Sequence, residues 1–491
     1  MRNIEVRFAQ VRGKFDRFAN FCVGAGRANE ALRAGFVRQM ETVVKECGFR
    51  YLRFHGLFCD DMAVVRRVNG TLVYNWQYID EVFDEMLAVG IRPFVELSFM
   101  PRALASGEQT LFWWRGNITP PKDYGEYYAF LHAAVMHWQE RYGLEEVKTW
   151  FFEVWNEPDL AIFFSGDMAE YFKMYDTAAR AVKDVCPDFR VGGPATSEHH
   201  WIREMIGHCL ENRIPLDFLS THTYGVEGAV DEFGENLHIL LDDPDYIPSS
   251  VAATRAQIDA TPLAGIPLYY TEWSSSYTSR DNLHDSYVNA PYILYNLKRL
   301  SGSANAMSYW TFTDIFEEAG PPPTPFHGGF GLMNMHGLKK PSYFAYKFLH
   351  MLGDWELSCC DADSIVCRSE SGVQALVWNY TKHDQQGVPN QHYYIRDLVP
   401  GPAEPAHLSI PDLPAGRWLI SVYRTGYGIN DVYGEYLKLG RPDNLSREQI
   451  AALAVACEGT PECSVFAGKG GFEYDIPLRE NDVFFLDIKR L

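Results

Sequence analysis

The chain has 491 residues, 47 % hydrophobic and 14 % aromatic, which exceeds one ordinary domain and is ample for a large core. Acidic residues outnumber basic ones by 64 to 44, a formal charge of −20, which disfavours nucleic acid or a membrane surface as partner and suits a neutral substrate. The ten cysteines show no regular C-x-x-C spacing, so they make neither a disulfide framework nor a zinc site, and the close pairs Cys359/Cys360 and Cys457/Cys463 read as reduced thiols.

The first stretch, MRNIEVRFAQVRGKF, carries charge every few residues and lacks both an apolar signal core and a membrane-spanning run. It reads as the start of a cytoplasmic protein, so the Asn-x-Ser/Thr sequons at Asn69, Asn117, Asn379 and Asn444 carry little weight. Residues 1–17 hold one isolated strand near Ile4–Phe8.

Residues 18–351 alternate β-rich segments with amphipathic helical stretches, the pattern of parallel β-α units. Strands are predicted near Phe18–Val23, Tyr51–His55, Arg92–Ser98, Thr149–Trp155, Arg190–Gly193, Phe218–His222, Leu268–Thr271 and Met307–Thr311. Helical patterns include Asn29–Cys47, Tyr78–Val89, Asp123–Tyr142, Met168–Val185, Tyr287–Ser301 and Pro341–Met351. Eight repeats of this kind predict an α/β fold, a (β/α)8 TIM barrel. Residues 352–491 change texture to short strands divided by Pro, Gly and Asp turns: SIVCRS, VQALVWNY, HYYIRDLV, AHLSI, RWLISVYR, FEYDI and DVFFLDI. These predict a C-terminal β-sandwich, to which the N-terminal strand is available as a further member. Its one helical insertion is introduced by a capping box from Ser446 to Gln449.

In such a barrel the reactive groups lie at the C-terminal ends of the strands. Two glutamates sit there: the fourth strand runs into Asn156-Glu157-Pro158, where proline ends the strand and fixes the turn, and the seventh ends at Glu272. Cleaving a glycosidic bond with retention needs a proton donor and an opposed attacking carboxylate about 5–5.5 Å apart. Glu157, among apolar groups such as Trp155, is the expected general acid/base, and Glu272, bonded by hydroxyl and amide groups, the expected ionised nucleophile. His199-His200 has no third ligand and reads as an exposed helix start rather than a metal site. The chemistry requires no metal and no cofactor.

The segments CVGAGRA, RFHGLFCDDM, NITPPKDY, FFEVWNEPDL, YYTEWSSSY, SYWTFTDIFEE and PFHGGFGLM resemble, in barrel order, the β-xylosidases of glycoside hydrolase family 39, which also contains α-L-iduronidases. The resemblance implies a retaining exo-acting enzyme that releases xylose from the non-reducing end of xylo-oligosaccharides or aryl β-xylosides. It implies that Asn156 bonds the sugar 2-hydroxyl, that His222 and Tyr224 reach hydroxyls and the nucleophile, and that His55 meets the 3-hydroxyl region. Phe112 and Trp310 would wall the ring, while Glu317 and Glu318 would accept hydrogen bonds from hydroxyls and close the pocket. Carboxylates there repel an anionic sugar, favouring xylose over iduronic acid; the alternatives on the same mechanism are an α-L-arabinosidase, a β-galactosidase or an α-L-iduronidase. After WNEP, residues Asp159 to Phe164 are more apolar than the family pattern, and Pro321-Pro322-Pro323 stiffens the loop after Glu318. A homo-oligomer bridged by apolar tail loops such as AGKGGF is compatible with this architecture.

Overall fold

The computed structural model describes residues 1–230 and 236–491. Eight parallel strands close into a barrel: Cys22–Arg27, Tyr51–His55, Arg92–Glu96, Phe151–Glu153, Arg190–Thr196, Phe218–Tyr224, Leu268–Ser274 and Ala306–Tyr309. The surrounding helices end where the chain supplies the chemistry for it. Gly48 and Gly90 take left-handed φ values of 69° and 89° at the C-termini of Ala34–Cys47 and Gln77–Val89. Asp123 and Asp167 accept from the Glu126 and Glu170 backbone N–H groups at the starts of Tyr124–Tyr142 and Met168–Val185.

The barrel interior is layered by the period of two along each strand. Tyr51, Phe94, Phe151, Phe218 and Tyr269 form an aromatic floor. Two residues on, the same strands place Arg53, Glu96, Glu153, Ser220 and Thr271, all buried polar groups. One more step up lie His55, Ser98 and His222. A pattern such as Tyr-Leu-Arg-Phe-His therefore stacks an apolar plug, a charged tier and a polar rim from bottom to top.

The first strand lies four residues later than the predicted Phe18–Val23. Phe18–Asn20 is instead a 3-10 turn whose Phe18 N–H bonds the Asp16 carboxylate at 3.0 Å. The strand proper takes the glycine-rich segment because Trp310 from the eighth strand packs directly on it. A Cβ at Gly24 would stand 2.4 Å from the Trp310 ring.

Arg2–Glu5 runs parallel to Ala406–Ile410, which also pairs with Phe472–Ile476. The facing sheet has seven strands, in the order Val11–Lys14, Trp355–Leu357, Ser364–Arg368, Gly372–Trp378, Val483–Arg490, Gly416–Thr425, Glu462–Gly468. Its central strands Gly372–Trp378 and Val483–Arg490 are buried on both faces over most of their length, which alternation makes possible: Val373, Ala375, Val377, Phe484 and Leu486 face the small sheet, whereas Leu376, Trp378, Val483 and Phe485 join the barrel core. Phe485 stacks on Phe348 of the last barrel helix, with ring centroids 5.5 Å apart.

One predicted strand of this region is not a strand. His392–Val399 contains part of a single helical turn, Asn390–Tyr393, and then follows the barrel surface. Its aromatic alternation serves docking: Asn390 Nδ2 donates to Asp281 at 2.8 Å, Tyr394 is buried, and the Leu398 carbonyl accepts from the Tyr287 hydroxyl at 2.7 Å. All ten cysteines are free thiols. Among the described residues no helix is long and apolar enough to cross a membrane.

Because the Gly24 site is filled by an aromatic ring, Gly24→Ala overpacks the barrel and lowers stability by about 1–3 kcal/mol. Thermal unfolding measures this, and an unchanged transition temperature would contradict the packing described.

Candidate active site

Glu157 follows the fourth strand on a turn held by unusual backbone. Trp155 and Glu157 have φ values of 72° and 43°, in the left-handed region that side chains with a Cβ seldom occupy. The Glu157 N–H bonds the Ala195 carbonyl at 2.8 Å, and the Trp155 indole donates to the Phe163 carbonyl at 3.0 Å, so the turn is anchored on two sides. Glu272 lies within the seventh strand at a register shift against the sixth. One oxygen of each carboxylate and a His222 nitrogen lie within 4.8 Å of one another.

The two carboxyls face different surroundings. Burial works against a charge on Glu272, but His222, the Arg53 guanidinium, His55 and the Tyr224 hydroxyl outweigh it and hold the carboxyl well below the ordinary range. Arg53 Nη1 donates to Oε1 at 2.6 Å, and the Tyr224 hydroxyl donates to Oε2 at 2.6 Å. Burial dominates at Glu157 and raises its pKa, His222 opposing it and the nearby Glu272 and Asp159 charges reinforcing it. His222 is raised in turn: burial disfavours its charge, while Glu272 and Glu157 favour it.

The hydrogen-bond chain orders the shared proton. Thr271 Oγ1 donates to Glu153 at 2.8 Å, which leaves its oxygen to accept from His222 Nε2 at 3.2 Å. The neutral ring then presents Nδ1 as an acceptor, 2.9 Å from Glu157 Oε1. Besides the Nε2 proton, Glu157 and His222 Nδ1 share one proton next to Glu272, whose surroundings favour the charged form. This arrangement can deliver a proton from one side of a bound bond and a carboxylate oxygen from the other.

Arg53 is the residue that the sequence reading missed. Fully buried, it also donates to Glu153 at 2.6 Å and to Asn156 Oδ1 at 2.8 Å, and lies 2.8 Å from Glu96 Oε2. The available signal was an arginine between apolar neighbours, two residues before His55 on a barrel strand. With its oxygen committed to Arg53, Asn156 turns a buried Nδ2 that has no partner among the described residues, and Asn156 lines the cavity. His55 Nδ1 pairs with Glu96 at 2.8 Å, and its Nε2 lies 3.7 Å from Glu272 and 3.5 Å from Glu318.

These side chains share a cavity of about 420 Å³, a size typical of small-ligand sites. His55, Phe112, Asn156, Glu157, His222, Tyr224, Glu272, Trp310 and Glu318 all line it. Glu317 does not. Its carboxylate turns away from the cavity to Arg33 at 2.7 Å and Arg27 at 3.5 Å, at the start of a turn closed by the Gly320 N–H on the Glu317 carbonyl at 3.1 Å. Glu318 keeps its place, but burial first, then the Glu272, Glu30, Glu157 and Glu96 charges, push its carboxyl well above the usual range. This favours the protonated form, which can donate to a ligand as well as accept. The residues Leu160, Ile162, Phe163, Ser197, Glu198, Tyr277 and Phe330 complete the lining. Among the described residues, Glu157, His222 and Glu272 are also the group spaced to hold a metal ion, yet their donors are already bonded to one another, Tyr224 and Arg53. The His199-His200 pair is dispersed: His199 meets the Tyr270 hydroxyl at 3.1 Å and His200 meets Asp159 at 2.9 Å.

Behind the aromatic wall lies a second buried charge cluster. Lys340 Nζ contacts Asp285 and Asp314, each at 2.6 Å, and donates to the Gly329 carbonyl at 2.8 Å. Asp285 accepts from the Gly328 N–H at 2.7 Å and Asp314 from the Gly331 N–H at 2.6 Å. A Cβ at Gly328, Gly329 or Gly331 would come within 2.4 Å of these aspartates or adjoining backbone, which accounts for the glycines of PFHGGFGLM. The clamped loop delivers Phe330 to the cavity beside Trp310 and Phe316.

A closed parallel barrel with opposed, differently charged carboxyls at the C-terminal rim of its strands defines a barrel glycoside hydrolase. The sequence pattern of the glycosyl hydrolases family 39 matches residues 2–471, and the chain belongs to that family. It is 37 % identical over 494 residues to a β-xylosidase of Geobacillus stearothermophilus, covering 98 % of this chain and 94 % of that protein. A β-xylosidase of Caldicellulosiruptor saccharolyticus is 38 % identical, with 93 % and 91 % covered. The crystal structure of a monomeric β-xylosidase from Caulobacter crescentus CB15 superposes with a TM-score of 0.98 at 42 % identity, over 100 % of both chains.

Removing the lysine that bridges Asp285 and Asp314 tests the clamp. Lys340→Met leaves two buried carboxylates uncompensated and costs about 3–5 kcal/mol near neutral pH. Burial already raises both aspartates, and losing the lysine raises them further, so the folded variant holds protons that the unfolded chain has released above about pH 4. Its stability therefore falls as pH rises through the mildly acidic range. Denaturant unfolding at pH 5 and pH 8 measures the difference, and equal stability at both would exclude this role.

Proposed function

We propose that the chain hydrolyses β-xylosides from the non-reducing end with net retention. The observation that carries the reading is the Glu157–Glu272 pair, whose oxygens approach within 4.8 Å while their surroundings favour opposite protonation states. Glu157 passes its proton to the glycosidic oxygen as Glu272 bonds the anomeric carbon, so the alcohol departs neutral and a glycosyl ester forms. Glu157, now a carboxylate, takes a proton from water, whose oxygen attacks the same carbon and releases Glu272. The separation supports direct attack over a route with an intervening water, which requires about 6.5–9.5 Å.

Three features support a neutral pentose. The cavity already holds Glu272, whose surroundings favour the charged form, so a uronic acid would bring a second negative charge beside it. Phe112, Trp310 and Phe330 give the cavity aromatic walls, on which the C–H face of a sugar ring packs. The relatives named as β-xylosidases span nearly the whole chain. Asn156 Nδ2 is the donor placed for a sugar hydroxyl beside Glu272, a contact that strengthens as positive charge develops at the anomeric carbon.

Loss of the two glutamates has different signatures. Glu272→Ala abolishes turnover of every β-xyloside, whereas Glu157→Ala loses about 10²–10⁴-fold on poor leaving groups and much less on an activated aryl xyloside. Proton NMR during hydrolysis shows β-xylose as the first product; α-xylose first would defeat retention. Tyr224→Phe removes a hydroxyl that lowers the Glu272 pKa, so the acid limb of the kcat/KM profile moves to higher pH. A profile that stays in place would rule out that role for Tyr224.

A further inference from the structure

The leaving-group side of the cavity has a lining that the proposed reaction does not explain. Immediately after the Glu157 turn, Leu160, Ile162 and Phe163 line the cavity, and Tyr277 joins them from the loop after the seventh strand. Ile162 is 60 % exposed and Tyr277 51 % exposed, so two of the chain's large exposed apolar side chains line one cavity. Scattered single hydrophobic residues on a surface are ordinary, but a group around a cavity marks a binding surface. Phe163 is fixed from behind by Phe112, with ring centroids 5.5 Å apart, and by the Trp155 bond to its carbonyl. The apolar lip is preorganised on the loop that carries the acid.

Polar capacity on the same side is largely spent. The Ser197 hydroxyl donates to Asp159 at 2.6 Å, and Glu198 accepts from the Tyr246 hydroxyl. Among the described residues this leaves one Glu198 oxygen and the Tyr277 hydroxyl for a ligand. A second sugar would bring several hydroxyls against Leu160, Ile162 and Phe163, and each buried without a partner costs affinity. An alkyl chain or aromatic ring meets no such cost.

Resting on the proposed xyloside reading, we propose that the leaving-group site selects apolar aglycones, so that alkyl and aryl β-xylosides are better substrates than xylobiose. The sugar site is unaffected by this assignment; the choice is made by Leu160, Ile162, Phe163 and Tyr277.

A homologous series of methyl, ethyl, propyl and butyl β-D-xylosides tests it, since the leaving alcohols beyond methanol differ little in acidity. On the full-length enzyme, kcat/KM rises with each methylene, up to about fourfold, which corresponds to ~0.8 kcal/mol for a buried CH2 group. Butyl β-xyloside exceeds xylobiose even though a sugar hydroxyl is the better leaving group. Within one enzyme, the butyl-to-methyl ratio shrinks in Ile162→Ser and in Phe163→Ser; because Ile162 is exposed, its variant tests the lip without disturbing the core. A flat series with xylobiose preferred overturns the aglycone assignment alone. Absence of turnover on every β-xyloside, xylobiose included, overturns the sugar reading and this inference with it.

Discussion

One buried cation organises the barrel mouth. Arg53 has no access to water, and desolvating a guanidinium is affordable only because Glu96, Glu153, Glu272 and Asn156 surround it with acceptors. Its planar fork of donors reaches acceptors on three other strands and the turn after the fourth, which a lysine could not do. Through these bonds the nucleophile candidate is held ionised, the Asn156 amide is turned outward, and Glu153 is made the acceptor that orders Thr271 and His222. The opposite protonation preferences of Glu157 and Glu272 follow from their surroundings: Arg53, His222 and Tyr224 hold Glu272 toward the charged form, whereas burial holds Glu157, facing His222, toward the protonated one.

The second charge cluster follows the same logic with a different purpose. Lys340, Asp285 and Asp314 touch no part of the cavity lining directly, yet they fix the glycine-rich loop that presents Phe330. Glycines are required there because the loop packs closely: a Cβ at Gly329 would meet the Asp314 carboxylate, one at Gly328 the Asp281 backbone, and one at Gly331 the backbone of Asp314 and Met333. Around the sugar site, charge behind the wall sets position, and aromatic surface in front of it provides contact. The sandwich contributes at a distance. The central strands of its seven-stranded sheet pack on the barrel core with one face, and the segment Asn390–Tyr394 reaches back to Asp281 beneath that same loop.

Much of the architecture was legible because it is periodic. The eight β-α repeats, the helix caps at Asp123, Asp167 and Gly48, and the Ser446 capping box are local signals, and they stand where the chain chemistry puts them. Where sequence reasoning failed, a distant partner overrode a local pattern. The Phe18 segment reads as a strand but turns because Asp16 caps it, and the following glycines form the strand beneath Trp310. The tyrosines of His392–Val399 alternate like a strand yet dock on the barrel. Glu317 and Glu318 are equivalent in sequence, and only the positions of Arg33 and Arg27 separate them.

By itself, the sequence determined which groups exist at the strand ends and in what order: Asn156, Glu157, His222 and Glu272 are placed there by strand periodicity and a proline-terminated turn. It also determined the composition of the lip after Glu157, where apolar residues replace polar ones. Tertiary structure alone decided which carboxyl is charged, which way Asn156 points, and that Arg53 rather than solvent compensates the barrel's acids. Those outcomes depend on distances of a few ångströms between residues up to 219 positions apart in the chain. Electrostatic energy in a dry interior is set by such distances, and no local pattern encodes them.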